Sequence, residues 1–167
     1  MERFMTPETY LFEASDEIPN NSRLPVLYYR GGVKPQGDAA SHIEALFLRN
    51  GWTGTWRNGV FSYHHYHTEG HEVLGVASGW ARLLIGGRGG KEMKVQAGDI
   101  IILPAGTGHC SVEAGDDFLV VGAYPPGQRA EQDLAKIARL PLPSSDPLQG
   151  ENGPLVTIWQ RAVAPQT

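Results

Sequence analysis

From residue 59 to residue 124 the chain is a succession of short apolar runs cut by turn residues. The runs fall near 60–68, 72–78, 80–86, 92–96, 99–103, 109–113 and 118–124. The cuts are "SG" (78–79), "GGRGG" (86–90), "AG" (97–98), "PAGTG" (104–108) and "AGDD" (114–117). All are rich in residues that accept turn geometries. Seven such runs with no helical pattern between them pair antiparallel, because a parallel pair needs a long crossover. The predicted fold class is therefore all-β, a sandwich or a barrel. The 21 glycines and 12 prolines are dispersed between the runs, as tight turns require, rather than gathered into a linker.

The flanks are less uniform. "YLFEA" (10–14) and "PVLYYR" (25–30) read as strands, and 31–40 as a loop. Ser41 followed by Glu44 forms a capping-box pair. Ile43, Leu46 and Phe47 share one face of the helix it starts, and Asn50-Gly51 stops it. "AEQDLAKIARL" (130–140) reads as a second helix, with Leu134, Ile137 and Leu140 in register. "PLPSSDP" (141–147) breaks it, and "PLVTIWQ" (154–160) reads as a last strand.

Length and charge narrow the function. A chain of 167 residues suits one domain, 1–167. Its net charge of −4 argues against nucleic acid or an anionic membrane as partner, since phosphates demand a basic face. No apolar run approaches a membrane span, and "MERFMTPETY" has no apolar signal core. The single cysteine, Cys110, cannot close an intrachain disulfide and fits a reducing compartment. A cytoplasmic location is expected.

Four of the six histidines fall in "FSYHHYHTEGHEVLGVASGW" (61–80). Side chains alternate along a strand, so His65 and His67 point one way with Phe61 and Tyr63, while Ser62, His64 and Tyr66 point the other. Two neutral imidazoles at i and i+2 on a rigid strand suit a metal ion. A hairpin at "TEG" would return the Glu72 carboxylate to the pair. His109 follows a β-run and a Gly-rich turn, and joins them if its strand pairs nearby.

These residues resemble the two motifs of the cupin superfamily. The first reads G, five residues, H-x-H, three or four residues, E, six residues, G. Gly59, His65, His67, Glu72 and Gly79 fit it. The second reads G, five residues, P-x-G, two residues, H, three residues, N. Gly98, Pro104, Gly106 and His109 fit it, with Glu113 in place of the asparagine. The motif core, 59–113, covers about a third of the chain. "HYH…HEVLGV" and "YPPGQ" also resemble a small single-domain bacterial branch of mostly unassigned activity.

The resemblance implies a double-stranded β-helix, an RmlC-like jelly-roll barrel, with one or two short flanking helices. It implies one divalent transition metal (Fe, Mn, Ni, Cu or Zn) held by His65, His67, Glu72 and His109. Glu113, four residues after His109, shares its face on a regular strand. It is then either a second carboxylate near the metal or a substitute that bonds a turn, and the structural role is favoured. A one-residue bulge would exchange His71 for Glu72. His64 is expected at the surface or an interface, Glu69 in the turn, and Cys110 as a small buried side chain opposite His109. Trp52, Trp56, Trp80 and Trp159 are expected in the core or a dimer contact.

Three imidazoles and one carboxylate leave an octahedral ion open positions for a substrate. The expected function is a metal-dependent oxygenase or isomerase acting on a small polar metabolite. Tyr63 and Glu113 are its candidate proton-transfer groups. The alternative is a non-catalytic small-molecule or metal-binding and sensing protein. A homodimer is expected, through a sheet edge at 10–14 or 25–30 or through an outer sheet face.

Overall fold

A computed structural model describes residues 4–68, 70–128 and 140–164. Eleven strands and two helices are assigned among them, and every strand pair is antiparallel. The strands are β1 (Glu8–Tyr10), β2 (Val26–Tyr29), β3 (Thr53–Asn58), β4 (Glu72–Ser78), β5 (Trp80–Ile85) and β6 (Lys91–Gln96). They continue as β7 (Ile100–Leu103), β8 (His109–Ala114), β9 (Leu119–Tyr124), β10 (Ser145–Asp146) and β11 (Gly150–Glu151). The helices are α1 (Ala39–Arg49) and α2 (Pro154–Val163).

A six-stranded sheet runs β1-β2-β7-β4-β9-β3, and a three-stranded sheet runs β6-β5-β8. Their facing sides enclose one core, containing Val26, Tyr28, Leu74, Val76, Leu83, Ile85, Ile101 and Val120. The outer side of the six-stranded sheet is also buried, because α1 and α2 cover it. Leu27, Tyr29, Val73, Ile100 and Ile102 meet Ile43, Phe47, Leu155 and Trp159 there. This double burial explains "IIIL": Ile101 and Leu103 face the second sheet while Ile100 and Ile102 face the helices. Each such side chain contributes about 1.5–3 kcal/mol by leaving water. Gly75 on β4 lets α1 approach, since a Cβ there would lie 2.7 Å from Ile43 Cγ2.

Six of the seven central runs are strands close to their expected bounds. The run at 60–68 is not. It lies along β8, but regular pairing around His65 and His109 would set Tyr63 opposite Ser111 and His67 opposite Thr107. Instead Ser111 N–H donates to Phe61 O (2.8 Å) and Gly106 N–H to His67 O (2.7 Å). The register slips on both sides of the His65–His109 bridge, and no ladder forms. Strand β3, immediately before it, was not expected.

The flanks bring further corrections. Only Tyr10 of 10–14 is in a strand, whereas 25–30 contains β2. Helix α1 starts two residues before Ser41, and its N-cap is Asp38, whose carboxylate accepts from Ser41 N–H (3.2 Å) and Ser41 Oγ (2.7 Å). Glu44 instead forms a bidentate pair with Arg57 on β3. The segment 154–160 is helical. Its β-branched residues suggested a strand, but Pro154 sits in the first turn and Leu155 and Trp159, four apart, share the buried face. The helix read at 130–140 lies outside the described residues except for Leu140.

Candidate metal centre

Three chain segments meet between the sheets at one end of the barrel. Glu72 opens β4 with its side chain turned inward, like Leu74 after it. His109 opens β8 on the opposite sheet. The stretch 61–67 is drawn across the gap by two backbone bonds, His65 N–H to His109 O (3.2 Å) and His109 N–H to His65 O (3.0 Å). Regular pairing is lost, yet the imidazoles still converge.

One ring nitrogen from each of His65, His67 and His109 lies within 4.8 Å of the others. The Glu72 carboxylate reaches two of them: Oε2 lies 3.4 Å from His67 Nε2, and Oε1 lies 3.3 Å from His109 Nε2. The structure therefore brings together all four residues singled out by the motifs. His109 Nδ1 lies 3.0 Å from the carbonyl of Thr107, which can only accept. Nδ1 thus donates to that carbonyl, which fixes the ring with Nε2 facing Glu72.

Glu72 itself is 2% exposed. Burial raises its pKa, but the His109 and His67 rings beside it outweigh this and hold it well below the carboxylate range. Oε2 accepts from Tyr124 Oη (2.7 Å), while Oε1 is buried with no hydrogen-bond partner. Burial, the neighbouring imidazoles His109 and His67 also lower His65, to about 4.

Tyr124 is the site residue that the sequence reading missed. Burial first, then the Glu72 charge and the bond to it, raise the Tyr124 pKa, so the hydroxyl stays a donor. It accepts in turn from Trp56 Nε1 (3.0 Å). Trp56 fits because its indole rests on Gly122, where a Cβ would come within 2.1 Å of the ring. The usable signal was alternation along β9, which puts Val120, Gly122 and Tyr124 on the inner face.

A cavity of about 260 Å³ opens above the cluster. It is lined by His65, His67, Glu72 and His109 together with Trp56, Val60, Phe61, Leu74 and Tyr124. Trp56 is thus a cavity wall, whereas Trp52 and Trp159 are buried in the core as expected. Tyr63 does not line the cavity: it is 62% exposed, stacked on Phe61 (centroids 5.1 Å) and 6.4 Å from the His65 ring.

Glu113 is not in the site. Leu83 pairs with Ser111 but Arg82 with Glu113, so the register shift leaves Val112 as an extra residue. That bulge turns Glu113 to the outer face, where it pairs with Arg82 at 3.1 Å. His71 points to the helix side, and no bulge exchanges it with Glu72. Its Nδ1 accepts from Ala105 N–H (2.9 Å), its ring lies 4.8 Å from that of Trp159, and burial lowers its pKa to about 3. His64 contacts Cys110 Sγ (3.6 Å) away from the cluster, and Glu69 lies outside the described residues. Cys110 is buried, which raises its thiol pKa. No helix among the described residues is long and apolar enough to cross a membrane.

No family model matches the chain. The uncharacterized protein YjlB of Bacillus subtilis is 35% identical over 162 residues, 91% of this chain and 96% of that protein. Among solved structures, acireductone dioxygenase from Bacillus anthracis, with a cadmium ion in its active centre, is 18% identical. That alignment covers 62% of this chain and 79% of the other at a TM-score of 0.42. A cupin protein from Bacteroides fragilis is 20% identical over 47% of this chain and 70% of its own, with a TM-score of 0.34. By its identity with YjlB over nine-tenths of its length the chain belongs to that protein's family, while its two motifs resemble those of the cupin superfamily and its two antiparallel sheets are the architecture that resemblance implied.

Proposed function

We propose that His65, His67, Glu72 and His109 hold one divalent transition ion and that the cavity above it receives a small-molecule substrate. One observation carries this reading. Glu72 Oε1 and His109 Nε2 face each other at 3.3 Å beside the nitrogens of His65 and His67, and each can offer a lone pair to one ion. Oε1 is buried and has no hydrogen-bond partner, and an ion between the two atoms would satisfy it. A donor set of three imidazoles and one carboxylate, without thiolate, suits Fe, Mn, Ni, Cu or Zn.

The activity proposed is that of a metal-dependent oxygenase or isomerase. Bound there, the ion supplies Lewis acidity toward a substrate that chelates it through oxygen. The protein's own part is to hold and to shield. Tyr124 holds Oε2 of Glu72, Trp56 and Phe61 supply apolar wall, and Tyr63, stacked on Phe61, is the proposed proton-transfer group. A second reading, a non-catalytic binding or sensing protein, has its own support. Among the described residues lining the cavity, the one hydroxyl is that of Tyr124, and it is committed to Glu72.

The test is metal analysis of untagged protein, followed by oxygen uptake and substrate screening of the loaded form. Protein that takes up no transition metal would sink the proposal. Metal-loaded protein that binds chelating oxy-acids but turns none over favours the binder. Tyr63→Phe should leave metal content intact and lower turnover about 10²–10⁴-fold if its hydroxyl moves the proton.

We also propose that residues 1–167 form a single domain, active in the cytoplasm as a homodimer. Strand β2 is paired on both sides, by β1 and β7, so 25–30 offers no free edge. The edge strand β1 or an outer sheet face remains for the dimer. Sedimentation showing only monomer at micromolar concentration would exclude it.

A further inference from the structure

The walls of the cavity differ from its floor. Every ionisable side chain that points into it, among the described residues, belongs to the four-residue cluster or is Tyr124, whose hydroxyl is taken up by Glu72. Arg57 borders the cavity, but its guanidinium is bound on the α1 side by both oxygens of Glu44 (2.9 and 2.7 Å) and by Ser41 Oγ (3.1 Å). Asn58 accepts through Oδ1 from the neighbouring Gly59 N–H (2.8 Å). The remaining wall is aromatic and aliphatic: Trp56, Val60, Phe61 and Leu74. Trp56 is fixed as a flat surface, with one side on Gly122 and its N–H on Tyr124.

We infer that the site selects a flat, unsaturated oxygen chelator of about one ring, and disfavours small polyanions. The inference rests on the proposed metal site and narrows its ligand. A second carboxylate or a phosphate would enter a wall with no cation to meet it, losing hydration without a replacement partner. A conjugated ring bearing two adjacent oxygens would place those oxygens on the ion and its face against the indole and Phe61, where aromatic contact adds to apolar burial. The volume, about 260 Å³, is at the small end for ligand pockets, which fits one ring.

The test compares tropolone, a planar one-ring chelator, with oxalate on nickel-loaded full-length protein, by calorimetry or tryptophan fluorescence. Each affinity is set against the same compound's affinity for aqueous nickel, which removes the intrinsic difference between chelators. The protein should favour tropolone over oxalate by about tenfold or more beyond the aqueous ratio, and Trp56→Ala should abolish most of that preference while nickel content holds. If Trp56→Ala loses nickel through its link to Tyr124, Phe61→Ala, which touches no bond to Glu72, should reduce the preference at full nickel loading. A preference for oxalate, or a tropolone preference unchanged in nickel-loaded Phe61→Ala and Trp56→Ala, overturns the inference. Failure of wild-type protein to take up nickel overturns it together with the metal reading, and elemental analysis tells the two failures apart.

Discussion

Three carboxylates among the described residues are almost completely enclosed, Asp146 at 0% exposure and Glu72 and Asp99 at 2%, and the contrast between Asp146 and Glu72 is the sharpest. Asp146, behind the six-stranded sheet, accepts from Tyr29 Oη (2.6 Å) and from the backbone N–H groups of Leu148 (2.8 Å), Gln149 (2.9 Å) and Leu155 (3.1 Å). The last bond caps α2, whose own N-cap, Gly153, has no side chain to offer. Glu72, at the barrel mouth, has one hydroxyl donor and an oxygen left over, 3.3 Å from His109 Nε2. The first carboxylate is finished by the protein and holds chain segments together. The second is left unfinished, which is what a group awaiting an ion requires.

The contrast can be broken first where its effect is largest. Asp146→Ala should lower folding stability by about 4 kcal/mol, because buried donors left without an acceptor cost roughly 1–3 kcal/mol each. Metal uptake by the folded fraction should not change. Chemical denaturation paired with metal analysis checks both, and loss of metal with intact stability would reverse the roles assigned to the two carboxylates.

His67→Ala should do the opposite. The metal-free variant should melt close to metal-free wild type, since the ring is not part of either core. The stabilisation that added metal confers on wild type, about 2.7 kcal/mol when metal is a hundredfold above Kd, should vanish. Thermal melts with and without metal read this directly.

Tyr124→Phe sharpens the comparison on the Glu72 side. It keeps the ring and removes the one donor to Oε2, so metal affinity should fall about 10–100-fold, the usual cost of losing a group that orients a ligand. A competitive titration with a chromogenic chelator measures it; an unchanged affinity would mean that the imidazoles alone orient the carboxylate.

The smallest effect is expected at Glu113. Its pair with Arg82 is about half exposed on both sides, so Glu113→Ala should change stability by no more than about 0.5 kcal/mol and leave metal content alone. Metal loss in this variant would put Glu113 back among the site residues.

The sequence by itself determined six strands of the central region, their antiparallel pairing and, through the two motifs, the four residues that meet at the barrel mouth. Each of these depends on short-range information: turn residues close in sequence, alternation over a few positions, and two spaced motifs. Tertiary structure decided the rest. Whether Glu113 joined His109 turned on one extra residue, Val112, opposite Arg82 and Leu83, and a bulge is a property of two paired strands rather than of either alone. Residues 154–160 carry the β-branched composition of a strand, but the sheet's outer face had a surface for Leu155 and Trp159 that only a helix could fill. Tyr124 was legible as an inward side chain but not as a partner of Glu72, because that pairing joins residues 52 positions apart. The unfinished state of Glu72 was likewise hidden. Whether a buried oxygen lacks a donor depends on every element packed around it, and no local stretch of sequence records that.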